Sequence, residues 1–349
     1  MLIKTKTNPK YKELGDFMAK KIIFIHGRAT KPLKSDLEKL WYDAVKMGLK
    51  RYQGEKGAKA AQAFDDIVKE FVYYGDISNE FLHRVKGETI PDDIESRREA
   101  LLKFDKVNAS DFSKSAYEGV SKNGYLMEAL ADTFSGALSF LRMGKSLVSA
   151  VAPDMAHYWD KDSYFGSEVR NTLTEVLKQS FDNDDEIMLV SHSLGTMISY
   201  DNLWKFSHYG EYRKNYGANK KVDLFVTMGS PLGDENVKCE LKGRDKKGKL
   251  RYPHNINRWV NIAAEDDYIS HDSKLQNDFE AMHELGLIRA TDIADHIPNV
   301  QVVKTVLPFF SIRGMGLNEF APNSDSPVAV HIDEVYMSKA FQVMGSLFD

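Results

Sequence analysis

Ser193, with a small residue two positions away on each side, stands at the centre of the segment Ile187–Tyr200, which reads IMLVSHSLGTMISY. The apolar run Ile187–Val190 predicts a short buried strand, and the residues after Ser193 begin a helical apolar pattern. A serine at such a strand-to-helix corner presents its hydroxyl clear of the sheet and can act as a nucleophile. The corner requires small residues two positions away on each side, which Gly195 provides fully and Ser191 nearly. An ordinary loop containing two serines is the alternative interpretation, because so short a pattern also arises by chance.

A serine nucleophile needs an imidazole to take its proton and a carboxylate to orient that imidazole. In a parallel sheet such groups gather outside the carboxyl ends of the strands. Polar residues follow several predicted strands in this way: His26–Arg28 after KIIFIH, Glu265–Asp267 after RWVNIA, and His331 after the last strand. The resulting chain order of serine, acid and histidine is one that serine hydrolases use.

Strands and helices alternate along most of the chain. We predict strands at Lys21–His26, Phe71–Tyr74, Ile187–Val190, Val222–Met228 and Arg258–Ala263, with one more within 300–312. We predict helices at Ser35–Leu49, Ala61–Phe71, Val169–Leu177, Ser273–Leu285 and Ile332–Phe348. This alternation predicts an α/β fold with a doubly wound, mostly parallel sheet in one domain. Residues 1–20 are interpreted as an N-terminal extension, and whether residues 1–17 are native is left open.

The segment 77–164 interrupts the alternation. Its first part is charged, and its later part places apolar residues on one helical stripe (Leu126, Leu130, Phe134, Leu138 and Leu141) before Pro153. We interpret it as a helical cap inserted into the domain. The simpler role for this cap is to pack onto the sheet. The alternative is a lid over an acyl pocket, with peripheral membrane contact through the cap.

Composition narrows the classes of partner. The 349 residues carry a net charge of −4, so no global attraction to nucleic acid is expected and no nucleic-acid partner is predicted. A single cysteine, Cys239, cannot form an internal disulfide, and no apolar run is long enough to span a membrane, so a cytoplasmic location is expected. The histidines are scattered, and we predict neither a metal nor a cofactor. The oligomeric state is left open.

One segment departs from this charge balance. The loop Lys242–Arg251, KGRDKKGKLR, is strongly basic. A solvated loop is the simpler interpretation, and contact with an anionic substrate is the alternative.

The ordered set of motifs resembles the α/β-hydrolase superfamily, in its lipase and esterase-like branches, from Lys21 to Phe348. The residues that carry the resemblance are His26-Gly27, VSHSLG around Ser193, TMGSPLG at 227–233, Trp259-Val260-Asn261, Asp267-Tyr268-Ile269, and His331 with Tyr336. The resemblance implies a single α/β-hydrolase domain over residues 21–349.

The resemblance implies a role for each member of a triad. Ser193 would be the nucleophile, Asp267 the orienting acid and His331 the general base. Asp267 is preferred because it resembles the family's pattern of Trp-x-Asn followed closely by Asp-x-aliphatic. The alternatives are Glu265 and Asp266 for the acid and His296 for the base.

The same resemblance implies an oxyanion hole made by the backbone N–H groups of Leu194 and Arg28. His26 and His192 are interpreted as structural. The activity implied is hydrolysis of a small-molecule or lipid ester, or of a thioester, through an acyl-enzyme. An acyltransferase and a catalytically silent lipid- or protein-binding module are the alternatives. Ser191 departs from the pattern, since the family usually has glycine at that position.

Overall fold

Short apolar segments form a sheet of five parallel strands in the computed structural model, which describes residues 19–50, 55–105, 153–262 and 275–288. The strands are β1 (Lys20–Ile25), β2 (Val68–Val72), β3 (Glu186–His192), β4 (Val222–Met228) and β5 (Ile256–Ile262). Their order across the sheet is β2-β1-β3-β4-β5. Val72, Ile25, Ser191, Thr227 and Asn261 pair in one row near the carboxyl ends. The loops that follow these residues therefore emerge side by side.

Helices connect the strands. They are α1 (Lys34–Lys50), α2 (Glu55–Asp66), α3 (Gly75–Lys86), α4 (Ile94–Asp105), α5 (Pro153–Trp159), α6 (Phe165–Asp182), α7 (Leu194–His208), α8 (Gly210–Arg213), α9 (Glu235–Lys238) and α10 (Leu275–Glu284). Two 3-10 turns lie at Pro231–Gly233 and Gly248–Arg251.

Alternate residues of each strand face opposite sides of the sheet, and both sides are covered. Ile23 and Ile25 join a core built with α3, α5, α6, α7 and α10, whereas Ile22 and Phe24 join a second core built with α1, α2 and α4. Burial on both faces explains why the strands are apolar runs rather than alternating patterns. The described part is thus an α/β fold with an all-parallel sheet, compatible with double winding.

The strand predicted at Val222–Met228 is confirmed residue for residue, but β2 begins three residues earlier than the predicted Phe71–Tyr74. The reason is the end of α2 at Asp66, where the Lys69 ammonium donates to the carbonyl oxygens of Phe64, Asp65 and Ile67. A lysine that caps these carbonyls stops the helix before the predicted boundary. The strand predicted within 300–312 and the helix at Ile332–Phe348 lie outside the described residues.

The two ends of the predicted cap are described, and its centre is not. At one end the Phe81 ring of α3 lies 4.3 Å from His157 of α5 and 5.1 Å from Phe165 of α6, measured between ring centroids. Phe81 and Phe165 belong to the core that contains Ile23 and Ile25, whereas Leu101 of α4 belongs to the core on the other side of the sheet. Residues 106–152, with the predicted apolar stripe, lie outside the described residues, so the cap stays a prediction.

Among the described residues, no helix combines the length and the apolar character needed to cross a membrane.

A buried asparagine joins β5 to the segment before β4. The side-chain amide of Asn255 donates to the carbonyl oxygens of Tyr216, Gly217 and Lys220, and its side-chain oxygen accepts from the Ser207 hydroxyl. Asn255 is fully buried, and the Tyr216 carbonyl also accepts from the Lys220 N–H at 3.2 Å, so one amide ties three carbonyls of this segment to the start of β5.

We expect Asn255→Asp to lower the free energy of unfolding at pH 7 by about 3 kcal/mol or more, because a carboxylate of the same shape donates nothing to the three carbonyls. Urea unfolding followed by tryptophan fluorescence measures the change. Asn215→Asp, at an exposed position in the same segment, is the matched control and should change stability by less than about 0.5 kcal/mol. Equal stability of the two variants would contradict the role given to Asn255.

Candidate active site

Ser193 occupies a sharp corner between β3 and α7, with φ 50° and ψ −123°. Few residues other than glycine adopt a positive φ, and such a conformation persists only where its surroundings enforce it. Here the Ser193 N–H donates to the Met228 carbonyl at 3.0 Å, and the Ser193 carbonyl accepts from the N–H and the hydroxyl of Thr196 at 2.9 and 2.7 Å. The strand-to-helix corner predicted from the sequence is therefore present and held on both sides.

Two glycines let the end of β1 approach this corner. A Cβ on Gly195 would lie 2.6 Å from the His26 carbonyl oxygen and 2.9 Å from that of Ile25, so the first turn of α7 packs directly on the backbone of β1. A Cβ on Gly27 would lie 2.9 Å from the Ser193 Cβ. Because real Cβ atoms do not come this close to backbone or to another Cβ, both positions require glycine.

Ser191, at the position where the α/β-hydrolase pattern usually has glycine, has a hydrogen-bond partner. Ser191 is fully buried, and its hydroxyl lies 2.7 Å from the hydroxyl of Ser199 on α7. A buried hydroxyl with a hydrogen-bond partner avoids the cost of desolvation without compensation. The corner therefore accommodates serine two residues before Ser193.

His26 lies beside the corner but is fully engaged in hydrogen bonds. Its Nδ1 donates to the Gly27 carbonyl at 2.8 Å, and its Nε2 accepts the Tyr74 N–H at 3.1 Å. The Tyr74 ring stacks on the imidazole with centroids 4.0 Å apart, and the Tyr74 hydroxyl donates to the Gly27 carbonyl at 2.7 Å. This pattern requires a neutral ring with the proton on Nδ1. The expected structural role of His26 agrees with these contacts.

His192 precedes Ser193 and points to the opposite side of the sheet. Its ring packs edge to face against Trp41 of α1, with centroids 6.3 Å apart. His192 thus belongs to the α1 face, as expected for the residue next to the corner serine.

A buried carboxylate fixes the turn that follows β1. Asp154 Oδ1 accepts from Nε and Nη2 of Arg28 at 3.1 and 2.9 Å, and Oδ2 accepts from the Ala29 N–H at 2.9 Å. Ala29 has φ 72°, a second position where the backbone is held in the left-handed region. Burial alone raises the pKa of Asp154, but the Arg28 guanidinium and the N–H groups of Ala29 and Met155 outweigh it, and the pKa is lowered.

The predicted oxyanion donors lie at the ends of neighbouring strands. Leu194 is the first residue of α7, where a backbone N–H has no acceptor within its own helix. Arg28 follows Gly27, which touches Ser193. β1 and β3 also flank the position where the strand order reverses, and ligands of open parallel sheets bind outside the carboxyl ends at that position. The structure thus brings Ser193, Leu194 and the turn at Arg28 to one place.

The loop after β4 also packs near Ser193. The Ser230 hydroxyl donates to the hydroxyl of Thr196 at 2.9 Å and so links this loop to the first turn of α7. Deeper in the sheet the Trp259 Nε1–H donates to the Thr227 hydroxyl at 3.0 Å, and Thr227 donates to Asn261 at 2.7 Å. The TMGSPLG and Trp259–Asn261 motifs therefore meet in a buried chain of hydrogen bonds.

The predicted acid and base are not placed. Asp267, Asp266, Glu265, His331 and His296 all lie outside the described residues. In the sequence, Glu265 comes three residues after β5, whose carboxyl end shares the edge that carries Ser193. The described residues therefore include the predicted nucleophile and the two predicted amide donors, and the predicted acid and base lie outside them.

Sequence reasoning missed Asp154, Tyr74 and Ser230 as supports of the site. Asp154 follows Pro153 with no motif around it, and its partner Arg28 lies 126 residues away. No local pattern could have revealed that contact. Within the described part of the chain, no group of three or more histidine, cysteine, aspartate or glutamate residues could hold a metal ion.

No family model, curated protein or solved structure matches this chain.

We expect Asp154→Asn to lower the free energy of unfolding by about 2–4 kcal/mol at pH 7, because the Arg28 guanidinium loses its buried counter-charge. The lowered pKa sets the pH window. Stability contributed by Asp154 is complete above its unfolded pKa of 3.8 and is lost as pH falls through the lower folded pKa. The difference between wild type and variant should be constant from about pH 5 to 8 and narrow only below about pH 4.

Urea unfolding at pH 7, 5 and 3.5 measures that difference. The control is Asp162→Asn, an exposed position eight residues further along the chain, with an expected change below about 0.5 kcal/mol. A difference for Asp154→Asn that is already shrinking between pH 7 and 5 would show that the carboxylate is not held in its charged form.

Proposed function

We propose that this protein is a serine hydrolase of the α/β-hydrolase superfamily that cleaves a carboxylic ester, a lipid ester or a thioester. The observation that carries the proposal is the backbone of Ser193, with φ 50° and ψ −123° at a strand-to-helix corner. A conformation of this kind costs on the order of 1–3 kcal/mol and is typical of functional sites. It is the geometry expected of a nucleophile elbow.

The surroundings of Ser193 support acyl transfer in particular. The N–H of Leu194 and the turn at Arg28 come from adjacent strand ends, where two backbone donors can meet one oxygen. The Asp154 carboxylate holds that turn by three hydrogen bonds to Arg28 and Ala29. Donors fixed in advance stabilise negative charge without reorganising during the reaction.

The proposed reaction has two halves. His331 removes the proton of the Ser193 hydroxyl as Oγ attacks the substrate carbonyl, and the two amides stabilise the resulting oxyanion. The tetrahedral intermediate collapses to an acyl-enzyme, and His331 donates its proton to the departing alcohol or thiol. Water then attacks the acyl group with His331 again as base, releasing the acid and restoring Ser193. Asp267 orients the imidazole and stabilises its cation throughout.

The proposal includes a cytoplasmic location. It is supported by Cys239 being the single cysteine, which leaves no internal disulfide for an oxidising compartment to form.

We expect a fluorophosphonate probe to label the wild-type protein at Ser193 and Ser193→Ala to lose all labelling, because the probe reacts only with an activated serine. Intact mass and peptide mapping measure the adduct. Ser199→Ala is the matched control, since Ser199 lies on the same helix with its hydroxyl bonded to Ser191, and it should still be labelled. No labelling of the folded wild type would favour the silent binding module and end the hydrolase proposal.

The general base and the acid can be assigned by paired variants. His331→Ala should lower kcat for a p-nitrophenyl ester by about 10⁴-fold or more, and Asp267→Asn by about 10⁴-fold, since each is required to activate Ser193. His296→Ala, Asp266→Asn and Glu265→Gln should stay within about threefold of wild type, because residues outside the triad take no part in its proton transfers. Loss of activity in one of these three instead would move the role to that residue. Full activity in both histidine variants would refute the triad.

A further inference from the structure

A strongly basic loop lies on the surface away from the site described above. Lys242–Arg251, called the basic loop here, contains six lysine and arginine residues and one aspartate, on a chain whose net charge is −4. All residues from Asp245 to Arg251 are exposed. Positive charge is therefore concentrated on one short segment of an otherwise acidic protein.

Both ends of the basic loop are fixed to α7. The Lys242 N–H donates to the buried Asp201 carboxylate at 2.8 Å, and the Trp204 Nε1–H donates to the Leu250 carbonyl at 3.0 Å. Gly243, with φ 83°, lies against Trp204, where a Cβ would come within 2.2 Å of the indole nitrogen. The backbone of the loop is thus fixed before binding. Little conformational entropy of the backbone is therefore lost when the loop binds a partner.

The basic loop lies far from Ser193. Trp204 follows Leu194 by ten residues of continuous helix, which is about 15 Å along the axis of α7. The chain then enters β5 at Ile256, at the amino end of that strand, whereas Ser193 follows the carboxyl end of β3. The sequence left open that the basic loop contacts an anionic substrate at Ser193. The position of the loop at the far end of α7 does not favour that contact.

Three cations of the basic loop are uncompensated within the described residues. Arg244 pairs with Glu240 at 3.2 Å and Lys246 with Asp245 at 2.9 Å. Lys247, Lys249 and Arg251 have no acidic partner in the described part of the chain. Their charge is available to an external anion.

An apolar side chain projects among these cations. Leu250 is 55% exposed between Lys249 and Arg251. Tyr209 is partly exposed beside the loop, and its hydroxyl accepts from the Lys242 ammonium at 3.0 Å. Apolar and aromatic side chains surrounded by lysine and arginine are the pattern of a segment that rests at a lipid–water interface.

We propose that the basic loop docks this protein on an anionic lipid surface. Charge complementarity is supplied by Lys247, Lys249 and Arg251 facing acidic headgroups, and Leu250 enters the boundary between headgroups and acyl chains. A nucleic acid would satisfy the charge, but its phosphate backbone offers no apolar phase for the leucine. Docking in this way places the protein at a membrane by a surface that does not include Ser193.

Co-sedimentation with vesicles tests the proposal. The full chain should bind vesicles of 70% phosphatidylcholine and 30% phosphatidylserine at 0.1 M salt, and bind pure phosphatidylcholine at least 10-fold more weakly. The triple variant K247Q/K249Q/R251Q should lose about 100-fold in partition coefficient, at about fivefold for each cation near the surface. Leu250→Ser should lose several-fold and still require phosphatidylserine.

The control K39Q/K56Q/K59Q removes the same charge from exposed positions on α1 and α2, across the sheet, and should bind like wild type. Thermal unfolding establishes that each variant is folded. Failure of the wild type to bind the acidic vesicles, or equal losses in the control, would overturn the proposal. So would a Leu250→Ser variant that binds as tightly as wild type, or tighter binding of the wild type to a DNA duplex at the same salt. Fluorophosphonate labelling of Ser193 is independent of all these outcomes.

Discussion

The described structure depends on one close approach, in which the backbone at the end of β1 touches the corner that carries Ser193. Gly195 packs on the carbonyl oxygens of Ile25 and His26, and Gly27 packs on the Cβ of Ser193. The parallel pairing of β1 with β3 sets this distance, because Ile25 lies opposite Ser191 and each chain then turns within two residues. In the proposed hydrolase, this contact is what would bring two backbone donors from separate strand ends to one oxygen beside the serine hydroxyl.

That approach is held by buried polar groups, each of which ties a different element to the turn or to the corner. The imidazole of His26 joins β1 to Tyr74 after β2, the Asp154 carboxylate joins α5 to Arg28, and the Ser230 hydroxyl joins the loop after β4 to Thr196. A typical hydrogen bond contributes only about 1 kcal/mol net, so the value of this set lies less in stability than in geometry. Leaving any of these groups without its partner carries a larger cost than the bond itself contributes, and this favours a single arrangement of the turn.

How much could be predicted from the sequence depended on the range of each interaction. The strand Val222–Met228 and the corner at Ser193 follow from local patterns of apolar and small residues, and the structure contains both. Ser191 could be understood only with Ser199 eight residues away, and the early end of α2 only with the lysine that binds its last carbonyls. Contacts across the fold, such as Asp154 with Arg28, have no local signal. The acid and base of the proposed triad were inferred from resemblance alone and stay predictions.

Helix α7 connects the proposed chemistry with the basic loop, and its burial has a physical consequence for both. The helix is buried along nearly all its length, yet carries Asp201, Asn202 and Lys205 among its inward residues. Burial raises the pKa of Asp201, although the hydrogen bond from the Lys242 N–H and the charge of Arg170 act to lower it. Burial also lowers the pKa of Lys205 to about 8. Each group therefore depends on fixed partners: Tyr158 donates to Asp201 at 2.8 Å, and Asn202 and Lys205 share Thr174 of α6. A helix satisfied in this way has one position relative to the sheet. The amino end of α7 then holds the Ser193 corner in its strained conformation. The carboxyl end holds the basic loop in place.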